Sequence, residues 1–286
     1  MKNRFCFVLF MALSVCAFAQ ADSLALVHGS WKVKRVAPGI KQRSLWITDS
    51  TLFRSNQHIT IVEAKKKRRF EFDLAADPKI KKKTSEFARE NNAIVAINGT
   101  FFDVANGGSV DYIRVDNQVV NETRLGKGNE RASHQKAAVL IKNGRLGLEK
   151  WTGAADWEKT IDAEDVMVSG PLLISSGKDA ELDSAAFNTT RHPRSVVAIN
   201  SKGRVLLIAV DGRSSNAAGM SLFELRDVLR WMKCEQAINL DGGGSTTLWV
   251  ADRSGNGVRN YPSDNKIWDH EGERKVANVI LLKRKR

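Results

Sequence analysis

Three apolar segments of the sequence each end in a polar turn that contains glycine, and this repeated pattern constrains the fold more than any other feature. The turns begin at Asn98, at Asp211 and at Asp241. A continuous apolar run that ends at such a turn is typical of a strand buried on both faces. Loops and side chains that follow neighbouring strands often lie together at one edge of a sheet. We therefore predict that the three turns form one candidate site.

The rest of the chain combines further strand patterns with a few helical ones. Alternating residues and glycine-containing turns predict strands and hairpins at 44–48, 58–63, 137–148, 195–210, 236–240 and 276–282. A short helix is predicted at 84–91 with Thr84 as its N-cap, and a longer one begins at the capping box of Ser221 and Glu224. These patterns predict an α+β fold, with a mixed, largely antiparallel sheet, a few packed helices and the active site at converging strand ends.

The first residues have the pattern of a secretory signal peptide. Lys2 and Arg4 precede an apolar run over residues 5–18, and small residues lead to Ala19. We predict cleavage near Ala19, which removes residues 1–19 and exports the mature protein to the periplasm or the medium. The other apolar runs are too short for a bilayer, so the sequence predicts no membrane span.

The mature chain is predicted to form one domain with a less regular beginning. Residues 20–92 read as a β-rich part that packs on the same domain, and residues 93–286 read as the main domain that carries the three turns. Cys234 is the single cysteine beyond residue 19. The sequence therefore predicts no internal disulfide and a Cys234 side chain that is buried as a small apolar group.

The chain is strongly basic, with 45 Lys and Arg residues against 32 Asp and Glu residues and a formal net charge of +13. Dense basic runs occupy residues 65–69, 79–83 and 283–286. Such runs fit solvated hairpin tips and a terminus, or attraction to an anionic polymer or substrate. They lack interleaved aromatic residues, and the chain is predicted to be exported, so nucleic acid is not an expected partner.

The third turn carries the strongest chemical signal. Its residues are Asp241, Gly242, Gly243, Gly244, Ser245 and Thr246. Three consecutive glycines cost backbone entropy, and a hairpin needs at most two. Glycine lets backbone N–H groups approach an anion closely, and the carboxylate and hydroxyls beside them suit a sugar or a phosphate. The turn differs from a nucleotide P-loop because no lysine follows the glycines, and it differs from a nucleophile elbow because it lacks Gly-x-Ser-x-Gly.

Two further groups of residues are candidates for the same site. His192 and Arg194 lie in a basic turn that fits an oxyanion clamp, since guanidinium groups bind phosphate in a bidentate way; the alternative is a solvated surface turn. Glu224 offers another carboxylate, although the third position after Ser221 is where a capping-box Glu belongs. The five His residues are scattered and no Cys pair exists, so the sequence predicts no metal site, and it gives no signature of a hydrolase triad.

The order of these motifs resembles the phosphodiester glycosidase family. The resemblance rests on Ala96–Gly99 with Phe101-Phe102, Ser169-Gly170-Pro171, Pro193-Arg194-Ser195, Val210–Arg213, Gly219–Leu222 with Glu224, Ala237–Thr247, Tyr261–Asn265 and Arg274–Ala277. It covers residues 93 to the C-terminus. It implies hydrolysis of a sugar-1-phosphodiester on the sugar side, so that free sugar leaves and a phosphate monoester remains. It implies neither a cofactor nor a particular oligomeric state.

The resemblance and the residue chemistry together give a provisional assignment of roles. Arg194, with His192 or Arg213, is expected at the phosphate. The amides of Gly242, Gly243 and Gly244 and the hydroxyls of Ser245 or Thr246 are expected to hold phosphate or sugar oxygens. Asp241 and Asp211 are the expected nucleophile, base or acid, with Glu224 as a supporting candidate. Asn98 with Gly99, and Asn239, are candidates for sugar contacts, although Asn239 could instead join neighbouring turns.

Two alternatives stand beside this assignment. The same fold could act on a phosphodiester-containing envelope or exported polysaccharide. It could also serve a non-catalytic glycan-binding protein. The presence of both Asp211 and Asp241 counts against a binding protein, because a binder can lose either carboxylate with little effect on affinity. In each case the expected partner is a small molecule or glycan that bears phosphate.

Overall fold

The computed structural model describes residues 20–252 and 255–285. The predicted signal peptide, residues 1–19, lies outside the described residues, so its cleavage stays a prediction. Within the described part, no helix combines the length and the apolar character that a membrane crossing needs.

The described chain is rich in strands and poor in helices. The strands are β1 (Lys32–Ala37), β2 (Ile40–Leu52), β3 (Ser55–Ala64), β4 (Phe70–Ala76), β5 (Lys82–Lys83), β6 (Ala93–Asn98), β7 (Ile113–Val115), β8 (Gln118–Asn121), β9 (Ala137–Lys142), β10 (Arg145–Lys150), β11 (Asp165–Ser169), β12 (Leu172–Ser175), β13 (Lys178–Asp179), β14 (Arg194–Asn200), β15 (Val205–Val210), β16 (Cys234–Asn239), β17 (Leu248–Val250), β18 (Lys275–Val276) and β19 (Asn278–Arg284). The helices are α1 (Thr84–Glu90), α2 (Trp157–Thr160), α3 (Ala186–Thr189) and α4 (Leu222–Trp231); residues 20–27 are also helical, and 3-10 turns lie at Lys127–Asn129, Ser133–Gln135 and Gly243–Ser245.

The strands form sheets in which every pairing between described strands is antiparallel. The largest has eight strands in the order β1-β2-β3-β15-β14-β16-β12-β13, and a five-stranded sheet has the order β10-β9-β11-β7-β8. A four-stranded sheet, β17-β6-β19-β4, and the pair β18-β5 complete the set. The α+β class is confirmed, whereas the expectation of a mixed sheet is wrong, because no parallel pair occurs among these strands.

The buried strands are apolar on both faces because the eight-stranded sheet is covered on both sides. On one side, Val62 and Val197 pack in a cluster that includes Ile97 and Ile280 of the four-stranded sheet. On the other side, their sequence neighbours Ile61 and Val196 pack in a second cluster with Leu225 and Leu229 of α4. Since successive side chains of a strand point to opposite faces, both must be apolar here. The continuous apolar runs thus belong to antiparallel strands. The sequence pattern alone did not distinguish such strands from parallel ones.

Strands from residues 20–92 pair directly with strands of the remaining chain. β3 pairs with β15 from Ala64↔Val205 to Ile59↔Val210, and β4 pairs with β19 along its whole length. Each of these pairings places an N-terminal strand inside or at the edge of a sheet that also contains later strands. The boundary predicted at residue 92 therefore does not divide the hydrogen-bonded sheets.

The two predicted helices are present, with one difference at an N-cap. In α4, the Ser221 side chain accepts from the Glu224 N–H and the Glu224 carboxylate accepts from the Ser221 N–H, which confirms the capping box. In α1 the N-cap is Lys83 rather than Thr84. The Glu86 carboxylate accepts a hydrogen bond from the Lys83 N–H at 2.9 Å. The capping interaction therefore involves the residue before the predicted N-cap.

Asn98 joins three strand ends beneath the candidate site. Its side-chain amide donates to the carbonyl of Asp241 at 2.7 Å. Its side-chain oxygen accepts from the Ser195 hydroxyl at 2.7 Å and from the Thr247 N–H at 3.1 Å. Asn98 is fully buried. Because buried polar groups are costly when unpaired, these bonds fix how β6, β14 and the turn after β16 sit together.

We predict that Asn98→Ala destabilises the fold by about 2–4 kcal/mol, because three buried polar groups lose their partner. Asn106→Ala is the matched control, since the exposed Asn106 side chain makes one bond, to Asp103 at 3.0 Å. The control is expected to cost less than about 1 kcal/mol. Urea unfolding measures both, and equal costs would contradict the joining role of Asn98.

Candidate active site

The three polar turns lie together in the structure. The Asp241 N–H donates to the carbonyl of Gly99 at 3.0 Å, and the Gly243 N–H donates to the carbonyl of Pro193 at 2.9 Å. The turn after β15 is joined through Asn260, whose side-chain amide donates to Asp211 and to the carbonyl of Thr246, both at 2.9 Å. The ends of β6, β15 and β16 thus meet at one edge, beside the chain that enters β14.

Glycine is required at this edge because backbones approach each other closely. A β-carbon on Gly242 would lie 2.6 Å from the carbonyl oxygen of Pro193. On the other side of the same chain, a β-carbon on Gly212 would lie 2.9 Å from the Pro193 nitrogen, and one on Gly219 would lie 2.5 Å from the carbonyl oxygen of His192. Backbone atoms cannot move aside as a flexible side chain can. The segment around Pro193 is therefore held between glycines of two different turns.

Two guanidinium groups lie against the other two glycines of the turn. A β-carbon on Gly243 would be 2.9 Å from Nη2 of Arg213, and one on Gly244 would be 2.5 Å from Nη2 of Arg274. Arg274 is paired with Asp264, with its Nε donating at 2.8 Å. The Arg213 side chain is exposed, and no described residue offers its guanidinium group a hydrogen-bond or ion-pair partner. The turn thus carries two neighbouring positive charges, of which Arg213 is open to an anion.

The Asp241 carboxyl group is the acidic group of this turn. Burial raises the pKa of Asp241 from 3.8 to about 6, while Ser245 and the positive charges of Arg274 and Arg213 limit the rise. A carboxyl group with this pKa is ionised at neutral pH and still binds a proton readily. Perturbed carboxyl groups of this kind are common at catalytic sites.

Several buried polar atoms in or next to the turn have no hydrogen-bond partner among the described residues. They include the hydroxyl oxygen of Thr246 and the side-chain oxygen of Asn239. The amide of Asn239 donates to the carbonyls of Gly170 and Leu240, so this residue joins neighbouring turns, as the alternative for it predicted. Unpaired buried atoms are uncommon in folded proteins, and several in one place fit a region that binds a polar ligand.

Asp211 lies deeper than Asp241 and is fully buried. One carboxylate oxygen accepts from the Asn260 amide and from the Tyr261 N–H at 2.8 Å. The other lies 2.6 Å from Nδ1 of His58. With these partners, Asp211 holds the ring of His58 and the segment that leads to Arg274, rather than facing an open space.

The basic turn before β14 is only partly free to bind an anion. Arg194 is buried, its Nε donates to the carbonyl of Met220, and its Nη2 donates to the carbonyls of Phe187 and Thr190. Burial and the charge of Arg213 lower the pKa of Arg194 to about 10. Burial, with the charges of Arg194 and Arg213, also lowers the pKa of His192, which favours a neutral ring at pH 7. Arg194 thus donates its hydrogen bonds to main-chain carbonyls of neighbouring segments, whereas Arg213 keeps an exposed guanidinium group.

Two other candidates have contacts that support the fold. The Glu224 carboxylate is bound by the Ser221 N–H and by Arg191, whose Nε donates at 2.9 Å. The predicted sugar contact of Asn98 finds no support in the geometry, because that side chain is buried and bonded to protein on all sides. Next to it, a β-carbon on Gly99 would lie 2.1 Å from Oδ1 of Asn278, so glycine there serves close packing.

Sequence reasoning about individual residues missed three side chains that complete this region. His58 lies at the start of an alternating strand pattern, where its imidazole gave the only signal. Asn260 was not singled out, and Arg274 entered only as the first residue of a motif of the resemblance, because an Asn before a Tyr and an Arg in a charged loop are ordinary surface residues in a sequence. Their importance depends on long-range contacts with Asp211 and Gly244.

The described residues contain one group of carboxylates that could hold a metal ion, and none of its members is in the three polar turns. Asp73, Asp116 and Asp165 have oxygens within 4.8 Å of one another. The amino group of Lys283 pairs with Asp73, which already supplies positive charge to the group. The negative charge of the three carboxylates is therefore partly balanced within the protein.

The comparisons with known proteins agree with the fold. The model of the phosphodiester glycosidase family matches residues 91–283, about two thirds of the chain, and the protein therefore belongs to this family. The N-acetylglucosamine-1-phosphodiester alpha-N-acetylglucosaminidase of Bos taurus is 27% identical over 223 residues, covering 69% of this chain and 38% of that protein. The Homo sapiens protein of the same name is 26% identical over 219 residues, 69% of this chain and 39% of the other. The chain thus spans about two fifths of these relatives.

A solved structure is similar over nearly the whole length of both chains. The catalytic domain of zebrafish N-acetylglucosamine-1-phosphodiester alpha-N-acetylglucosaminidase, described as auto-inhibited by its pro-peptide, superimposes with a TM-score of 0.66. The alignment covers 91% of each chain at 22% identity. At 22% identity, this similarity establishes that the two chains share a fold.

A series of glycine substitutions tests the close approach at the turn. Gly203→Ala is expected to cost about 1–2 kcal/mol, because its φ is +65° while nothing lies within 4 Å. Gly243→Ala, with φ of +60° and only the end of the Arg213 side chain in the way, is expected to cost a similar amount. Gly242→Ala has an ordinary φ of −116° but meets the backbone of Pro193, and is expected to cost more than either. Chemical denaturation gives the ranking, and a Gly242→Ala variant as stable as wild type would contradict it.

The raised pKa of Asp241 predicts a pH-dependent penalty on stability. Because the folded protein binds this proton more tightly than the unfolded chain, stability is lost as pH rises from about 4 to 6, by at most about 3 kcal/mol. Asp241→Asn cannot ionise, so it should be more stable than wild type at pH 8 and equal to it near pH 3.5. Thermal unfolding at the two pH values measures the difference. A variant that is less stable at pH 8 would contradict a buried ionised carboxylate.

Proposed function

We propose that this protein hydrolyses a sugar-1-phosphodiester, releasing the free sugar and leaving a phosphate monoester on the other partner. The observation that carries the proposal is the juxtaposition of the Asp241 carboxyl group with two guanidinium groups on the glycines that follow it. The substrate class also draws on the relatives, whose names specify an N-acetylglucosamine-1-phosphodiester. We infer that the reaction takes place outside the cytoplasm, because residues 1–19 have the signal-peptide pattern.

The phosphate half of the site is assigned to the arginines and the glycine turn. Arg213 is exposed and unpaired among the described residues, and Arg274 lies on the next glycine with Asp264 as its partner. Consecutive Cα atoms are about 3.8 Å apart, so two groups packed on Gly243 and Gly244 can act on one phosphate. Positive charge fixed there stabilises the negative charge that grows on the phosphate as the bond to the sugar breaks. His192 and Arg194 support this half from the neighbouring turn.

The sugar half is assigned to Asp241. The bond between the anomeric carbon and the phosphate oxygen breaks, and its electron pair stays on the phosphate. The oxygen of a water molecule forms the new bond to carbon, and the water proton leaves through a base. Since a phosphate is a good leaving group, acid assistance is less important than charge neutralisation. Asp241 can serve either as this base or as a nucleophile that water later displaces. The hydroxyls of Ser245 and Thr246 are proposed to hold sugar or phosphate oxygens.

Asp211 is proposed as a positioning residue. It binds His58 and Asn260, and the Asn260 amide in turn binds the carbonyl of Thr246 in the glycine turn. The carboxylate is buried and has partners on both oxygens, so direct attack on a sugar would require breaking them. Loss of Asp211 would therefore act through the geometry of the turn.

A GlcNAc-1-phosphate methyl diester tests the proposal directly. Purified wild-type protein is expected to release GlcNAc, measured by chromatography, and Asp241→Asn is expected to lose at least about 1,000-fold in kcat. Glu224→Gln is the matched control, because its carboxylate binds Ser221 and Arg191; it should lower stability and keep most of the activity. Absence of release from this and other sugar phosphodiesters would refute the function. Full activity of Asp241→Asn would refute the assignment of that residue.

The pH dependence of kcat/KM tests the ionisation of Asp241. If its carboxylate is the base or nucleophile, activity should rise tenfold per pH unit below about pH 6 and level off above it. Burial and the charges of Arg194 and Arg213 lower the pKa of His192, so any change in activity that it adds is expected at lower pH than for an ordinary imidazole. Activity that instead falls as pH passes 6 would assign Asp241 to acid chemistry.

A further inference from the structure

A cavity of about 600 Å³ opens at the end of the eight-stranded sheet that is away from the three polar turns. β15 runs from Val205, in the wall of this cavity, to Val210, which precedes the turn at Asp211. Its six residues span roughly 17 Å along the strand. β14 likewise runs from Arg194, beside the glycine turn, toward Ile199 in the cavity wall. The cavity is therefore separate from the candidate active site.

The folding of three sheets brings distant parts of the sequence to the mouth of the cavity. The Lys285 N–H, after the end of β19, donates to the carbonyl of Arg69 at 2.9 Å, which joins two of the basic runs. The Phe72 N–H donates to the carbonyl of Gly144 at 2.9 Å, which brings the hairpin between β9 and β10 to the same place. Positive charges that are dispersed along the sequence thus meet at one opening.

Positive charge dominates the mouth of the cavity. Among the described residues, the lining contains one acidic side chain, Glu71, and six basic ones, Lys65, Lys66, Lys67, Arg68, Arg145 and Lys285. All six basic residues are exposed, and none has a side-chain ion pair or hydrogen bond with another described residue. Elsewhere, Lys283 pairs with Asp73 and Arg204 pairs with Glu63. Like charges that are held together repel one another, so a bound anion stabilises this arrangement.

The interior of the cavity is apolar. Its wall includes the half-buried side chains of Phe70, Phe72 and Ile199, which pack against the central apolar cluster. Ile40 and Leu282, which belong to that cluster, also line the cavity. The aliphatic stems of lysines can continue such an apolar wall up to the charged mouth. A cavity of this volume is within the usual range for small-molecule sites.

The two parts of the cavity favour an anionic lipid over an anionic polysaccharide. Sugar hydroxyls need several hydrogen-bond partners, whereas Asn143 is the single uncharged polar side chain among the described residues of the lining. A lipid phosphate is attracted by the basic mouth, and an acyl chain is stabilised by the apolar interior. Clusters of Lys and Arg beside an apolar surface are typical of sites for anionic lipids.

We propose that this cavity binds an anionic phospholipid, with its phosphate on the lysines of the 65–69 run and an acyl chain against Phe70 and Phe72. The bound lipid attaches the protein to an anionic membrane surface. The glycine turn stays accessible, because it lies at the other end of the sheet. The proposal is independent of the proposed function, since no residue of the three polar turns takes part.

Vesicle binding tests the charged part of the site. The protein, purified after export, is mixed with vesicles of phosphatidylcholine alone or of equal parts of phosphatidylcholine and phosphatidylglycerol, and sedimentation measures the bound fraction. Wild type is expected to bind the anionic vesicles at least about 10-fold more tightly. Lys66→Glu/Lys67→Glu should reduce this ratio to about one. A ratio near one for wild type would overturn the proposal.

Lys127→Glu/Lys150→Glu is the matched control for the change of charge. Both lysines are exposed, lie outside the cavity and have no side-chain ion pair or hydrogen bond with another described residue. The control changes the net charge by the same amount and should keep most of the preference of wild type. An equal loss in both double variants would assign the effect to total charge and overturn the site.

Calorimetric titration with soluble ligands tests the apolar part of the site. Short-chain phosphatidylglycerol, below its micelle concentration, is expected to bind at least about 10-fold more tightly than its deacylated headgroup or inorganic phosphate. Equal affinities would make the cavity a phosphate site and overturn the proposal. Ile199→Trp places a larger ring in the wall without a change of charge and should weaken the short-chain lipid, with thermal unfolding as the check that the variant is folded. Unchanged lipid affinity in the folded variant would contradict the position of the acyl chain.

Alginate, an anionic polysaccharide, tests the competing class of ligand. Binding of alginate that depends on Lys66 and Lys67, without binding of the short-chain lipid, would overturn the proposal. Hydrolysis of a sugar phosphodiester in solution is expected to be unchanged in Lys66→Glu/Lys67→Glu. If no diester is hydrolysed but the lipid binds, the proposed function fails and the lipid site stands.

Discussion

The structure depends on the close contact between the glycine turn and the backbone around Pro193. The N–H of Gly243 donates to the Pro193 carbonyl, while Gly242 and Gly212 leave no room for a side chain on either side of this segment. This contact brings the turns after β15 and β16 to one place. It also explains why glycines occur there at an entropic cost, since any β-carbon would separate the backbones. The positions of Arg213 and Arg274 follow from the same turn, because both guanidinium groups pack on its glycines.

The candidate site contains charged groups in positions that cost the folded protein stability. The Asp241 carboxyl group is desolvated, and Arg194 is buried with its charge bound by carbonyl groups. Such groups cost stability, and a protein that retains them usually uses them. The antiparallel sheets and their two apolar clusters supply the stabilisation that offsets this cost. The proposed division of roles follows from accessibility: Asp241 and Arg213 keep accessible surface, whereas Asp211 and Arg194 are enclosed and position their neighbours.

The sequence predicted those features that local patterns determine. The hairpin around Asn143-Gly144, the capping box at Ser221 and the strands before the three turns are present, because each depends on neighbouring residues. The sheet was predicted as mixed because a run such as residues 93–97 is equally apolar in parallel and antiparallel sheets that are covered on both faces. The environment of Asn98 was not predictable, since its partners are distant: Asp241 is 143 residues away.

One consequence of the strand order concerns the time at which the protein can fold. β19, at Asn278–Arg284, lies between β6 and β4 in the four-stranded sheet, and its side chains enter the central apolar cluster. The sheet therefore cannot form until synthesis has passed residue 284, and many of its contacts join residues far apart in sequence. A growing chain of this kind lacks a complete four-stranded sheet until its last described strand is available.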